Sequence, residues 1–344
     1  MKRYGKSLKD IFDIKKTFID NNNELLKDNF ELARIARKQP QRIYCKNCSN
    51  MLSKDVLFIK QGIEYHLCET CNHLNSIYED TNEFAKEVYV EEVTTYSKTY
   101  SENDKKRWID RVEKIYSPKA KFLVNCLLEA NQSFGTTVLD IGAGSGYFVK
   151  ALLQEGFVNV TGCEVSTTQV NFANKMLEQN LVEQIEIETL VDIIKNTKSE
   201  VLTMIGVLEH LTNPREILKA ISSNKNIKYY YISVPLFSYS VFWELLNEKS
   251  FNRHLYGGHT HLYTKESINY FCDEFNFSIV EEWQFGVDAL DLYRFSLLQM
   301  KEKKVSEKMM DLFSEKFLNV IDDIQLIFDK SEFSSEVHLI MKNN

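Results

Sequence analysis

No apolar run in the 344 residues approaches the roughly 20 residues that a helix needs to cross a bilayer, and Met1 to Lys6 form no apolar signal core. A soluble, cytoplasmic protein is expected. Positive charge is also in short supply, since 42 basic against 49 acidic side chains leave a formal net charge of -7 and a pI near 5.7. A broad cationic surface for nucleic-acid phosphates is therefore disfavoured, and small molecules gain weight as substrates. With 44% hydrophobic residues nothing suggests disorder, and the length allows one large domain with a sizeable core plus a small one. Of the seven cysteines, Cys126, Cys163 and Cys272 fall in expected helices or strands, which fits reduced thiols and a metal site better than disulfides.

The chain is organised around Val138-Leu139-Asp140-Ile141-Gly142-Ala143-Gly144-Ser145-Gly146-Tyr147-Phe148. The apolar residues before Asp140 predict a buried parallel strand, and Phe148, Val149, Leu152 and Leu153 keep helical spacing. A strand, a tight glycine turn and a helix N-terminus make a place for a cofactor with a carboxylate or phosphate. A dinucleotide fingerprint would need a third glycine at position 147, where Tyr147 stands. A second strand over 158–163 runs into Glu164, where an acid can accept both hydroxyls of a ribose.

Upstream, Cys45 and Cys48 form one C-x2-C knuckle and Cys68 and Cys71 another, with 19 residues between them. This spacing can place four thiolates around zinc, and the short hairpin expected around Gln61-Gly62 would complete a zinc ribbon. Four sulfur ligands close such a site, so its role is structural. Residues 1–40 predict helices with a partly buried face, which either pack on the body or pair with a second copy in a homodimer. Residues 81–117 are polar and tyrosine-rich, with Tyr96 and Tyr100 as lid candidates.

Strands are further expected at 184–188, 201–207, 229–234, 277–283 and 336–341, alternating with helices over 118–344 as in a doubly wound α/β sheet. The connection from Pro235 to Thr264 is long and aromatic, and such lengths are uncommon unless they bind something. Residues 286–333 predict an inserted helical hairpin, at whose start Asp288 and Asp291 serve as helix caps or meet a substrate.

Residues 118–285 resemble the core of class I S-adenosylmethionine (SAM) dependent methyltransferases, because D-x-G-x-G-x-G from Asp140 is similar to their motif I. The segment Gly206-Val207-Leu208-Glu209-His210-Leu211 resembles the one after strand four in the subgroup with sugar and quinone methyltransferases, and Gly258 to Ile268 is similar to that subgroup too. A zinc ribbon ahead of this core is similar to bacterial methyltransferases of nucleotide-linked sugars. The Asn-Pro-Pro-Tyr element of adenine and glutamine N-methyltransferases is absent. The resemblance implies a Rossmann-like sheet with a small N-terminal ribbon and a helical insertion before the last strand. It also implies a SAM site built from Asp140, Gly142, Ala143, Gly144, Gly146, Tyr147, Glu164, Val165, Gly206 and Glu209, with Tyr96 and Tyr100 above it.

A neutral hydroxyl is a poor nucleophile, so O-methylation needs a base near neutral pH, for which His210, His259 and His261 are the candidates. The expected acceptor is a hydroxyl of a nucleotide-activated or glycan sugar. Alternatives are a sugar carbon, RNA or protein gripped through the ribbon, or a scaffold without catalysis.

Overall fold

In this computed structural model, residues 1–85, 87–88, 105–255 and 259–344 are described. Tyr96 and Tyr100 lie outside the described residues.

The alternation of apolar runs with amphipathic helices produces one eight-stranded sheet. Its strands are β1 (Lys2–Tyr4), β5 (Val138–Ile141), β6 (Val160–Glu164), β7 (Val182–Gln184), β8 (Val201–Ile205), β9 (Tyr229–Pro235), β11 (Phe277–Gln284) and β12 (Glu336–Asn343). They lie in the order β1-β11-β12-β9-β8-β5-β6-β7, with β12 antiparallel to both neighbours. Every residue of β5 and β9 is buried, because helices cover both faces of the parallel part. The order reverses between β5 and β8, so the carboxyl ends of these strands open the crevice in which such sheets take ligands.

The helices bounding that crevice start where their local chemistry allows. Helix α2 (Ser117–Glu129) continues from a helical stretch, Lys105–Arg111, through one π turn, Val112–Tyr116. Pro118 has no N–H to offer the preceding turn, which explains a widened ladder there. Helix α3 (Tyr147–Gln154) begins after left-handed Gly146, and α4 (Thr167–Leu177) is capped by Ser166, whose hydroxyl accepts from Gln169 N–H at 3.4 Å. Helices α5 (Leu190–Asn196) and α6 (Pro214–Ser223) pack beside β8. Helix α7 (Tyr239–Leu246) follows β9, and α8 (Lys265–Phe275) opens with a reciprocal capping box between Thr264 and Ser267. The hairpin of α9 (Asp288–Glu302) and α10 (Glu307–Lys330) closes around Tyr293, Phe313 and Phe317.

Three sequence expectations change. The third core strand lies at Val182–Gln184, not 184–188: among the described residues β7 is an edge strand paired with β6 alone, and beyond it Ile185 and Ile187 fold over the crevice, so their alternation served a pocket wall. The N-terminal segment is not purely helical, for β1 adds an edge strand alongside β11. Asp288 and Asp291 neither cap α9 nor meet solvent. At 0% and 1% exposure they accept bonds from Ser240, Ser335, Arg253 and Arg294, and so tie α9 to the connection after β9.

A second sheet, β10-β4-β3-β2, is formed by β2 (Phe58–Lys60), β3 (Ile63–Leu67), β4 (Leu74–Ser76) and β10 (His261–Leu262). The cysteine-rich segment therefore shares backbone bonds with the long connection after β9. Helix α1 (Asn22–Ala36) places Leu32, Ala33, Ile35 and Ala36 in the core of this unit, so its apolar face is used within the chain.

Candidate active site

The glycine turn after β5 is shaped by what a side chain would strike. Gly142, Gly144 and Gly146 all have left-handed φ (67°, 53° and 73°), which L side chains rarely adopt. A Cβ on Gly142 would stand 2.6 Å from Val207 Cγ2, so the turn presses on the segment after β8. A Cβ on Gly146 would meet Ala173 and Leu177 of α4 at 3.1 Å; this glycine serves helix packing and does not line the crevice. Gly162 on β6 was missed by sequence reasoning, although a Cβ there would come 2.6 Å from that of Ala143. Trp108 Nε1 donates to Ser145 carbonyl at 2.9 Å and pins the turn from above.

The crevice encloses about 240 Å³. Asp140, Gly142, Ala143, Gly144, Tyr147, Glu164, Val165, Gly206 and His210 line it, together with Tyr116, Gln169, Ile185, Ile187, Leu190, Val207 and Leu211. Glu164 is held by three backbone donors: Val165 and Ser166 N–H to Oε1 at 2.8 and 3.0 Å, and Gly144 N–H to Oε2 at 3.0 Å. Asp140 lies deeper, where burial pushes its carboxyl up to about 7 against the Thr203 hydroxyl, which donates to Oδ1 at 2.6 Å. Thr203, at the centre of a strand, gave no sequence signal.

The three candidate histidines are not equivalent. His210 lines the crevice on the short helical turn Leu208–His210. His259 stacks on it with ring centroids 5.0 Å apart, and burial together with the neighbouring His210 charge holds its imidazole well below the usual range. Glu209 does not line the crevice as expected; it turns inward at 3% exposure, and burial raises it to about 8. A Glu209 oxygen, His210 and His259 offer polar atoms within 4.8 Å of one another. His261 is a correction, for it lies on β10 at 1% exposure with Nδ1 2.8 Å from His73 Nε2 and does not line the crevice. The strand pairing that joins β10 to β4 turns it into the second sheet.

Cys45, Cys48, Cys68 and Cys71 converge, all buried, with sulfur atoms mutually within 4.8 Å. Cys45 to Cys71 is 3.7 Å and Cys48 to Cys68 3.5 Å. Four sulfurs about 2.3 Å from one zinc ion at tetrahedral angles lie roughly 3.8 Å apart, so the donor set and its spacing fit that ion. Ser49 and Asn72, each just after a knuckle, take left-handed φ of 59° and 55° and return their N–H to Cys45 and Cys68 carbonyls. Asn50 and Asn75 side-chain N–H groups point to Cys48 and Cys45 sulfurs at 3.5 and 3.6 Å.

Among solved structures, similar folds include magnesium protoporphyrin IX methyltransferase from Synechocystis PCC 6803 with bound SAH (TM-score 0.43, 14% identity, 69% of this chain and 87% of that one). Another is a SAM dependent methyltransferase from Archaeoglobus fulgidus (TM-score 0.38, 18% identity, 65% of this chain and 94% of that one). Among curated proteins, ubiquinone biosynthesis O-methyltransferase of Actinobacillus pleuropneumoniae serotype 7 is 32% identical over 99 residues, 27% of this chain and 42% of that protein. Its Haemophilus ducreyi counterpart is 30% identical over the same length. The chain thus spans less than half the length of these relatives. No helix among the described residues is long and apolar enough to cross a membrane. A methyltransferase domain model matches residues 82–282, more than half of the chain. That span holds the glycine turn, Glu164 and the crevice between them, and by it the protein belongs to the class I SAM-dependent methyltransferases.

Proposed function

We propose that the protein transfers a methyl group from SAM to a hydroxyl of a small molecule, the best candidate being a nucleotide-activated or glycan sugar, and that a structural zinc ion is held by Cys45, Cys48, Cys68 and Cys71. The observation that carries hydroxyl methylation is the position of His210: among the described residues it is the histidine that lines the crevice. SAM, when bound, supplies a methyl group on a sulfonium centre. The glycine turn gives backbone room beside it, Glu164 receives a ribose hydroxyl, and Ile185, Ile187 and Leu190 offer an apolar wall to the adenine. His210 takes the hydroxyl proton as oxygen attacks, with His259 stacked behind it to fix its ring.

Similarity to O-methyltransferases over 99 residues favours oxygen as the accepting atom, while the sugar rests on the ribbon-plus-core arrangement and on the acidic overall charge, which disfavours nucleic acid. The test is a SAM-dependent assay over nucleotide sugars and free glycosides with wild-type and His210→Ala protein. Turnover should fall by about 10² to 10⁴ with SAM affinity nearly unchanged. Full activity of His210→Ala across neutral pH, or methylation at nitrogen only, would refute the reading.

A further inference from the structure

The cysteine-rich segment reaches the histidines beside the crevice through one short stretch of chain. His259, which stacks on His210, is followed by three residues that are each fixed to that segment. Thr260 carbonyl accepts Ser76 N–H at 3.0 Å, and Thr260 hydroxyl donates to Asp80 Oδ2 at 3.1 Å. His261 pairs with Asn75 and Leu262 with Leu74 where β10 joins β4. The His261 and His73 rings meet, Nδ1 to Nε2, at 2.8 Å. Thr260, His261 and Leu262 are all buried, so these bonds form out of reach of competing water.

The direction of the link between the two rings follows from their neighbours. Ser267 hydroxyl spends its hydrogen on Thr264 carbonyl at 3.0 Å and so stands as an acceptor toward His73 Nδ1–H at 3.3 Å. His73 Nε2 then carries a lone pair, to which His261 Nδ1–H donates. At its other end the link is rooted in the two cysteine knuckles. His73 carbonyl accepts Cys68 N–H at 2.9 Å and the Asn75 side-chain N–H at 2.9 Å, while Asn75 Oδ1 accepts Lys46 N–H at 2.9 Å. Asn75 thereby ties the knuckle of Cys45 and Cys48 to that of Cys68 and Cys71. Asp80 is held in turn by Arg42 and Lys46.

His259 itself has few such ties. Its ring touches the His254 backbone, and among the described residues its Nδ1 has no hydrogen-bond partner, so the ring's place follows largely from the chain that carries it. We infer that the cysteine ribbon is a positioning device for the histidine pair: His73, Asp80 and Thr260 act through His259 on the orientation of His210, an inference that rests on the reading of His210 as the base. A base must stand within hydrogen-bond reach of the proton it takes, and a displacement of about 1 Å can cost on the order of 10²-fold in rate. The four cysteines, which hold the two knuckles together, are thus connected to the crevice through β4 and β10. The backbone bonds that hold Glu164 come from Gly144, Val165 and Ser166 and share nothing with this link, so cofactor binding stands outside it.

The test is hydrogen exchange read by mass spectrometry on the full chain, in wild type, Thr260→Val, His73→Phe and chelator-treated wild type, beside kcat, KM and SAM calorimetry. Exchange in peptides covering 259–263 and 207–211 should rise by about tenfold or more in both variants and after chelation, with 138–177 unchanged. Thr260→Ser keeps the hydroxyl and should keep the wild-type pattern. Both Thr260→Val and His73→Phe should lower kcat by about tenfold or more while SAM affinity holds. Added to His259→Ala, neither should lower kcat further, because all three changes act on the same ring. Exchange changes confined to residues 42–80, changes that spread over 138–177, or kcat losses that multiply in the double variants overturn the inference. Loosened exchange at 259–263 and 207–211 in a protein whose His210→Ala form keeps full activity would refute the base assignment alone. Unchanged exchange there in Thr260→Val and His73→Phe, with His210→Ala inactive, would refute the positioning role alone.

Discussion

Glu164→Gln separates cofactor binding from loop architecture. A carboxylate has about four lone-pair sites, and three are taken here by the N–H groups of Gly144, Val165 and Ser166. One remains, so a single ribose hydroxyl can be received without displacing a backbone donor, where the sequence suggested two. A hydrogen bond to a charged acceptor is worth about 1.5–3 kcal/mol, which predicts that Glu164→Gln weakens SAM roughly 10- to 150-fold. The amide oxygen can still serve Val165 and Ser166, but its NH2 then faces Gly144 N–H, donor against donor, at a further cost of about 1–3 kcal/mol in stability. Glu164→Ala leaves all three N–H donors without their acceptor and should unfold at markedly lower urea concentration than the Gln variant. The assay is calorimetry with S-adenosylhomocysteine and its 2′-deoxy and 3′-deoxy forms, beside urea denaturation of each variant. Wild-type affinity in Glu164→Gln would sink the assignment of this acid to the cofactor. Equal losses with both deoxy ligands would show that the Gly144 bond opens on binding, and the count of free lone pairs would be wrong.

Zinc should be present at one ion per chain by elemental analysis, and Cys68→Ser should lose it and lower the melting temperature; a metal-free protein purified without chelator would refute the ribbon. Gly142→Ala should destabilise the fold by about 2–5 kcal/mol, combining a left-handed residue with overlap on Val207, and Val207→Ala should recover the steric part, about 1–3 kcal/mol, but not the backbone part. Purely additive losses in that denaturation cycle would count against the close contact. Glu209, raised to about 8 in the fold, keeps its proton there while the unfolded chain releases it, so wild-type stability should fall by a few kcal/mol as pH rises from about 4.5 to 8. Glu209→Gln should flatten that slope and be the more stable protein at pH 9, and parallel profiles for the two proteins would disprove it.

Much of the site was legible in order along the chain. A glycine pattern after an apolar run is a local signal, because each glycine answers a local demand for positive φ, and Gly142, Gly144 and Gly146 all have it. The two knuckles are likewise local, each closing its turn within a few residues. The helical spacing of Phe313, Phe317 and Ile324 announced the hairpin of α9 and α10, since a helix records its buried face in its own periodicity.

What the sequence could not determine depends on residues far apart in it. Nothing local says that β10 joins β4, yet that pairing of residues nearly 190 positions apart carries His261 away from the crevice and leaves His210 there with His259 behind it. A histidine's chemistry follows from what surrounds it, and three similar histidines in polar segments read alike until the second sheet sorts them. The same holds for Thr203 beneath Asp140 and for Gly162 against Ala143, where strand register alone makes the contact.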